Sequence, residues 1–293
     1  MDTGGGDYQH MIPPLPELRF LPIPAESRHR YVGDRFSYME AGAADAPVLL
    51  LLHGVGANAM HWRFQFAGLS GRFRIVAWNA PGYMLSDNFV TEWPEGRDYA
   101  GAVSDFMDAA GIEHCDVLAN SFGSRVAQCT AWYHPGRIAR MVLTGTAIGQ
   151  RSMTDTARSA LLETRRAQVA TGGFGFGDRV AALVGPNVSA ETTALIQHVL
   201  RATNPEGFLR AARFLTSNTY TPDFAERLTM PLLIIQGAAD RVTPMASNAA
   251  VLAAALPHAR LEILPDIGHL PEVEAWTAVN DLVRRFLTVT DTN

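Results

Sequence analysis

His114-Cys-Asp-Val-Leu-Ala-Asn-Ser-Phe-Gly-Ser124 decides how the rest of the chain is read. Cys115 to Ala119 has the apolar content of a buried strand, and helical spacing begins near Phe122. Ser121 stands between them, with Ala119 two residues before it and Gly123 two residues after. Small-x-Ser-x-small at a strand-to-helix junction is the pattern of a nucleophile elbow, a strained turn that lifts a hydroxyl off the carboxyl edge of a sheet. The flanking residues must be small because strand and helix backbones nearly touch there. The N–H of Phe122 opens the helix and points at a developing oxyanion. A serine capping a helix is the plain alternative, and the remainder of the chain has to separate the two.

The chain has 293 residues, enough for one large domain, or a domain with an insertion, around a sizeable core. Its apolar share of 47% is ordinary for a soluble globular protein. A net charge of −5 without any basic stripe argues against a nucleic-acid partner. All 24 basic residues are Arg, which removes a Schiff-base lysine, a P-loop lysine and a Ser–Lys dyad from consideration. Cys115 and Cys129 have no metal spacing and read as reduced, buried side chains. The nine histidines form no His-Glu-x-x-His pattern, so neither metal nor cofactor is expected. Met1 to Pro16 has no basic segment followed by an apolar one, and no apolar run is long enough to span a bilayer. The glycosylation tripeptide Asn187-Val-Ser189 therefore carries no weight. The expectation is a cytoplasmic protein off the membrane whose partner is a small-molecule substrate, with a homodimer left open.

Along the chain, residues 1–20 read as a loose lead-in. Arg30 to Val32 and Phe36 to Glu40 alternate as edge strands around the turn signal Gly33-Asp34. Pro47 to Leu52 and Phe73 to Trp78 are continuous apolar runs, as strands buried on both faces require. Helical spacing covers Ala57 to Leu69, Tyr99 to Ala110 and Phe122 to Tyr133, and Met141 to Leu143 is a further strand. From 148 to 224 the alternation stops: 152–170 and 189–217 read as helices parted by Thr171-Gly-Gly-Phe-Gly-Phe-Gly177. It resumes with strand Leu232 to Gln236, helix Met245 to Ala255, strand Arg260 to Leu264 and helix Pro271 to Leu287. Such alternation predicts a parallel sheet wrapped by helices, formed by 21–147 and 225–293, with 148–224 inserted as a helical cap.

A serine nucleophile needs a base to take its proton and a carboxylate to hold that base in one tautomer. Asp240 follows the strand Leu232 to Gln236 through Gly237-Ala-Ala, and His269 follows Arg260 to Leu264 through Pro265-Asp-Ile-Gly268. Both land on the sheet edge that carries Ser121. Asp266 is the rival carboxylate and reads as a turn or solvated residue. The second oxyanion donor is expected from the loop after Leu52, where Gly54 and Gly56 let the chain turn the Val55 amide inward. His53 reads as a brace for that loop.

Together these signals resemble the α/β-hydrolase family: His53-Gly54, Asn79-Ala-Pro-Gly-Tyr-Met-Leu-Ser-Asp87, Ala119-Asn-Ser-Phe-Gly123, Gly237-Ala-Ala-Asp-Arg-Val-Thr-Pro244 and Gly268-His-Leu-Pro271. The resemblance runs from about Pro47 to Leu287. It implies a mostly parallel eight-stranded sheet with a helical cap after the sixth strand, and a triad of Ser121, Asp240 and His269. It also implies hydrolysis of an ester or lactone, as in the family's carboxylesterases and enol-lactonases. Asn120 and the Asn79 segment are similar to carbon–carbon hydrolases of ring-fission products, the alternative reading. Against it stand Gly-Val-Gly-Ala-Asn58 in the oxyanion loop, Leu270 in place of a Trp, and Gln197 where those enzymes have a cap arginine. A family member without hydrolysis (a receptor, a lyase or a cofactor-free oxygenase) is the alternative of a different class.

Asn120, Gly54, Phe176 and Phe214 are the expected substrate contacts. The cap holds Phe174, Phe176, Phe208, Phe214 and Tyr220 with few carboxylates, which predicts a medium-sized, largely apolar acyl substrate. Arg201, Arg210 and Arg213 are the cap residues to examine should the substrate be charged.

Overall fold

The computed structural model describes residues 12–172 and 176–288. Eight strands form one sheet in the order β1-β2-β4-β3-β5-β6-β7-β8. They are β1 Leu18–Pro22, β2 Arg35–Ala41, β3 Val48–Leu52, β4 Arg74–Trp78, β5 Cys115–Asn120, β6 Ile138–Thr144, β7 Leu232–Gly237 and β8 Arg260–Leu264. β1 and β2 are antiparallel additions; from β4 to β8 every pairing is parallel.

The centre of the sheet shows why its strands are unbroken apolar runs. Leu49 and Leu51 of β3 point into one core layer with Phe66 and Leu69 of α1 (Arg63–Leu69) and with Val279 and Val283 of the C-terminal helix Trp276–Thr288. Leu50 and Leu52 point the other way, among Tyr99, Val103 and Phe106 of α2 (Gly96–Ala109) and Val126 of α3 (Phe122–Tyr133). All four leucines are fully buried, each contributing about 1.5–3 kcal/mol of transfer free energy. With helices on both faces, neither side of the strand tolerates a polar residue.

Two expectations at the edge are corrected. The lead-in is not loose to residue 20, because Leu18–Pro22 pairs with β2, Leu18 opposite Met39. Residues 1–11 lie outside the described residues. The hairpin around Gly33-Asp34 is absent: Arg28–Arg30 is a short 3-10 turn, and Tyr31 bridges to Phe89 instead. The Tyr31 hydroxyl donates to Asp105 Oδ2 at 2.7 Å, so a buried acceptor on α2 takes this segment away from β2.

The cap comprises helices Asp155–Val169, Val180–Leu183, Ala190–Arg201 and Pro205–Leu215 among the described residues. The helical stretch expected over 189–217 consists of two helices parted at Thr203-Asn204. Asn204 Oδ1 accepts from Glu206 N at 2.9 Å and Pro205 occupies the first helical position, a strong start signal that overrides continuity. Arg125 of α3, 1% exposed, anchors this part of the cap. Its guanidinium donates to the carbonyls of Leu215 at 2.9 Å and Thr219 at 2.6 Å. No helix among the described residues is long and apolar enough to cross a membrane.

Gly123 is fixed by a close approach: a Cβ placed there would sit 2.0 Å from the Leu52 carbonyl oxygen. Gly123→Ala is therefore expected to force α3 away from β3 and cost about 2–4 kcal/mol, in the range of overpacked core sites. Chemical denaturation of the variant against the parent chain checks this, and an unchanged midpoint refutes it.

Candidate active site

β5 delivers Ser121 at its carboxyl end with φ 52° and ψ −113°, a conformation a non-glycine residue holds only when its surroundings impose it. The impositions are visible. Ser121 N donates to Thr144 O at 3.0 Å, Ser124 Oγ donates to Ser121 O at 2.6 Å, and Gly123 lies against Leu52. Phe122 begins α3, so its amide is one of the helix donors without an intrahelical acceptor. Its ring is buried in the core, packed edge-on against Tyr99 at 5.0 Å.

β7 and β8 deliver the other two residues. His269 Nδ1 lies 2.9 Å from Asp240 Oδ2, and both side chains are buried. Asp240 is held from all sides: Val242 N and Thr243 N donate to Oδ1 at 2.8 and 2.9 Å, while Gln236 Nε2 and Thr243 Oγ1 each donate to Oδ2 at 2.8 Å. Burial pulls this carboxyl's pKa up, but the His269 bond and charge, with the Thr243 bonds, outweigh it and hold it down at about 2. Asp266, the rival, is exposed in a turn at φ 59°. Asn120 joins the elbow to the histidine loop, its Nδ2 donating to His269 O at 3.1 Å and to Thr144 Oγ1 at 3.3 Å.

The loop after β3 is braced by His53. Ala80 N donates to its Nε2 at 3.1 Å, so the proton is on Nδ1, which donates to Gly54 O at 2.9 Å. Full burial drives this imidazole down to about 3, the Gly54 hydrogen bond opposing the shift and the nearby His61 adding to it. The cap grips the same loop: Asn58 Nδ2 donates to Val199 O at 3.2 Å, and Thr203 Oγ1 donates to Gly56 O.

Both shifts make the fold acid-sensitive, in successive windows that overlap near pH 3 to 3.8. The unfolded chain takes up the His53 proton near 6.5, whereas the folded chain resists it to about 3, so stability falls as pH drops through that interval. The Asp240 carboxylate contributes stability present above its ordinary value near 3.8 and lost as pH falls towards 2. Melting temperature measured from pH 7 to 3 is expected to decline from about pH 6.5, and less steeply in His53→Gln. Equal slopes in the two proteins would exclude His53 as the cause.

Ser121, His269, Asn120, Gly54 and Val55 open onto one cavity, with roughly 500 Å³ of empty space, whose far wall is the cap. Phe176, Leu183, Ile196 and Leu200 supply the apolar part of that wall. Phe214 does not face it. The expected substrate contact at Phe214 is corrected: the ring is fully buried in the main core, stacked under the Arg125 guanidinium at 4.5 Å. Phe208 packs against Phe176 at 4.6 Å, and Phe174 lies outside the described residues. Arg210 and Arg213 turn away to Thr91 O and Glu92. Sequence reasoning missed Arg165, Arg179 and His61, which do line the cavity. His61 Nε2 is 2.6 Å from Glu272 Oε1. No spacing signal marked them, since each depends on how the cap and the C-terminal helices dock.

Comparison with known proteins agrees with this architecture. The family model described as the alpha/beta hydrolase fold matches residues 47–274. A 2-hydroxy-6-oxononadienedioate/2-hydroxy-6-oxononatrienedioate hydrolase of Pseudomonas putida is 26% identical over 262 residues, covering 83% of this chain and 88% of the relative. A hydrolase of Pseudomonas aeruginosa is 26% identical with TM-score 0.77, covering 93% of this chain and 99% of that one. The enol-lactonase of Burkholderia xenovorans, 23% identical with TM-score 0.74 over 88% of this chain and 98% of its own, shares the fold. With the match spanning β3 to β8, the elbow and the histidine loop, the chain belongs to the α/β-hydrolase family.

Proposed function

We propose that the chain is a serine hydrolase that cleaves a carboxylic ester or lactone through an acyl-enzyme on Ser121. The observation that carries the reading is His269, held by Asp240 behind it, opening onto the same cavity as the elbow serine. Ser121 Oγ attacks the carbonyl carbon while His269 takes its proton, and Asp240 holds the imidazole with Nδ1 protonated. The oxyanion accepts hydrogen bonds from the amides of Val55 and Phe122, each worth about 3 kcal/mol of barrier. Collapse breaks the acyl–oxygen bond, and His269 returns the proton to the departing alkoxide. Water, deprotonated by His269, then frees Ser121 and the acid. The reading calls on no cofactor and takes a small-molecule partner in a cytoplasmic setting.

A short aryl ester and a fluorophosphonate test the proposal. The expected result is turnover together with one adduct, mapped by mass to the Ser121 peptide. Labelling that persists in Ser121→Ala would place the nucleophile elsewhere. Carbon–carbon hydrolysis is the second reading, favoured by relatives such as the Pseudomonas putida hydrolase and by Asn120 before the nucleophile. Faster turnover of a vinylogous 1,5-diketone than of any ester would select it.

A further inference from the structure

Among the described residues, the polar side chains on the cavity wall are Ser121, Asn120, His269, His61, Arg165 and Arg179, with no Asp or Glu. The carboxylates hydrogen-bonded to residues of that wall are already engaged. Asp240 is taken by His269, Gln236 and Thr243, and Glu272 by His61. Glu274 is taken by the amides of Gly185, Gly268 and Leu270.

Arg165 and Arg179 are both half-buried, on the cap side of the cavity. Arg165 Nη1 donates to the neutral Gln168 Oε1 at 2.8 Å, and the Arg179 guanidinium lies 5.1 Å from the centre of the Phe176 ring. Neither is paired with a carboxylate among the described residues. Three other partly buried arginines are paired with a carboxylate, Arg140 with Asp116 at 2.7 Å, Arg30 with Asp105 at 3.3 Å and Arg74 with Glu40 at 2.5 Å, while Arg63 and Arg125 donate to backbone carbonyls. Burial lowers the pKa of Arg165, and it lowers Arg179 to about 10, with the repulsion of Arg165 adding to the effect. Two like charges withdrawn from water on one cavity wall cost free energy that an anion bound by both recovers.

We propose that Arg165 and Arg179 form an anion subsite in the cap, so that the substrate carries a carboxylate distant from the carbonyl that Ser121 attacks. The guanidinium fork matches a planar carboxylate. The apolar wall around it, Phe176 and Leu183, accommodates a carbon spacer rather than a hydrated polyanion. This deepens the hydrolase reading and rests on it. It also revises the apolar substrate expected from the cap's aromatic content.

The test pairs an aryl hexanoate with the aryl monoester of adipic acid, which has the same chain length and a terminal carboxylate. The wild-type kcat/KM ratio is expected to favour the charged ester at least roughly tenfold, as one charge-assisted contact provides. That preference should shrink with added sodium chloride, collapse in Arg165→Gln and Arg179→Gln, and largely survive in Arg179→Lys. A general packing role for the arginines would lower both substrates alike and leave the ratio intact, which overturns the proposal. Calorimetry with free adipate on Ser121→Ala protein reads the subsite without any turnover, so a failed hydrolase reading and a failed subsite remain distinguishable. Binding that disappears in the Arg165→Gln/Arg179→Gln background supports the subsite. No binding, or binding of inorganic phosphate in its place, overturns the carboxylate assignment.

Discussion

Ser121→Ala is expected to reduce kcat by about 10⁴–10⁶-fold while the melting curve stays in place. The printed bonds that hold the elbow run through the Ser121 backbone, its N donating to Thr144 O and its O accepting from Ser124 Oγ, and both survive removal of the hydroxyl. The φ of 52° is no worse for Ala than for Ser, because the strain belongs to the backbone. Loss of the oxygen should therefore stay within about 0.5 kcal/mol of stability. Steady-state kinetics on an aryl ester beside calorimetric melting decides it. A variant that retains a tenth of the rate, or one that melts far lower, contradicts the assignment of Ser121 as a nucleophile in an otherwise self-supporting elbow.

Asp240→Asn is expected to cost about 10⁴ in kcat, the size seen when an amide leaves the base in the wrong tautomer. Here the change also carries a stability penalty. Oδ2 receives Gln236 Nε2, Thr243 Oγ1 and the His269 ring nitrogen, three donors that an amide nitrogen in that place would oppose. Turning the amide over moves the conflict to Oδ1, where Val242 N and Thr243 N donate. At least one buried donor thus loses its acceptor in either orientation, at about 1–3 kcal/mol. The combined outcome, lower kcat and lower melting temperature, separates Asp240→Asn from Ser121→Ala. Asp266→Asn is the control, since that side chain is exposed. A crippled Asp266→Asn beside a mild Asp240→Asn would reverse the identity of the acid.

Much of the site was legible in the chain because its chemistry sits at the ends of buried parallel strands. An unbroken run such as Val48–Leu52 is a local signal, and the residue just past it must lie at the sheet edge. That logic located Ser121, Asp240 and His269 without any knowledge of contacts. The bounds of α3 and β8 agree with the sequence for the same reason: each ends at a Pro, a Gly or a polar turn.

What the chain could not disclose was set by docking. β1 is an edge strand with a wet face, and its partner β2 begins thirteen residues after it ends, so neither periodicity nor a turn marked it. The cap's helical nature was evident, but not which face of each helix meets the cavity. Phe214 and Phe176 are equally apolar in sequence; one fills the core beneath Arg125 and the other lines the cavity. Arg201, Arg210 and Arg213 were as prominent in sequence as Arg165 and Arg179, yet only the last two reach the cavity wall. Consecutive side chains alone carry the family, the parallel strands from β3 to β8 and the order in which Ser121, Asp240 and His269 reach their carboxyl edge, because burial along a strand is a local pattern. Only the tertiary structure decided what the cavity presents to a substrate, because helix orientation and the pairing of charges depend on residues far apart in the chain.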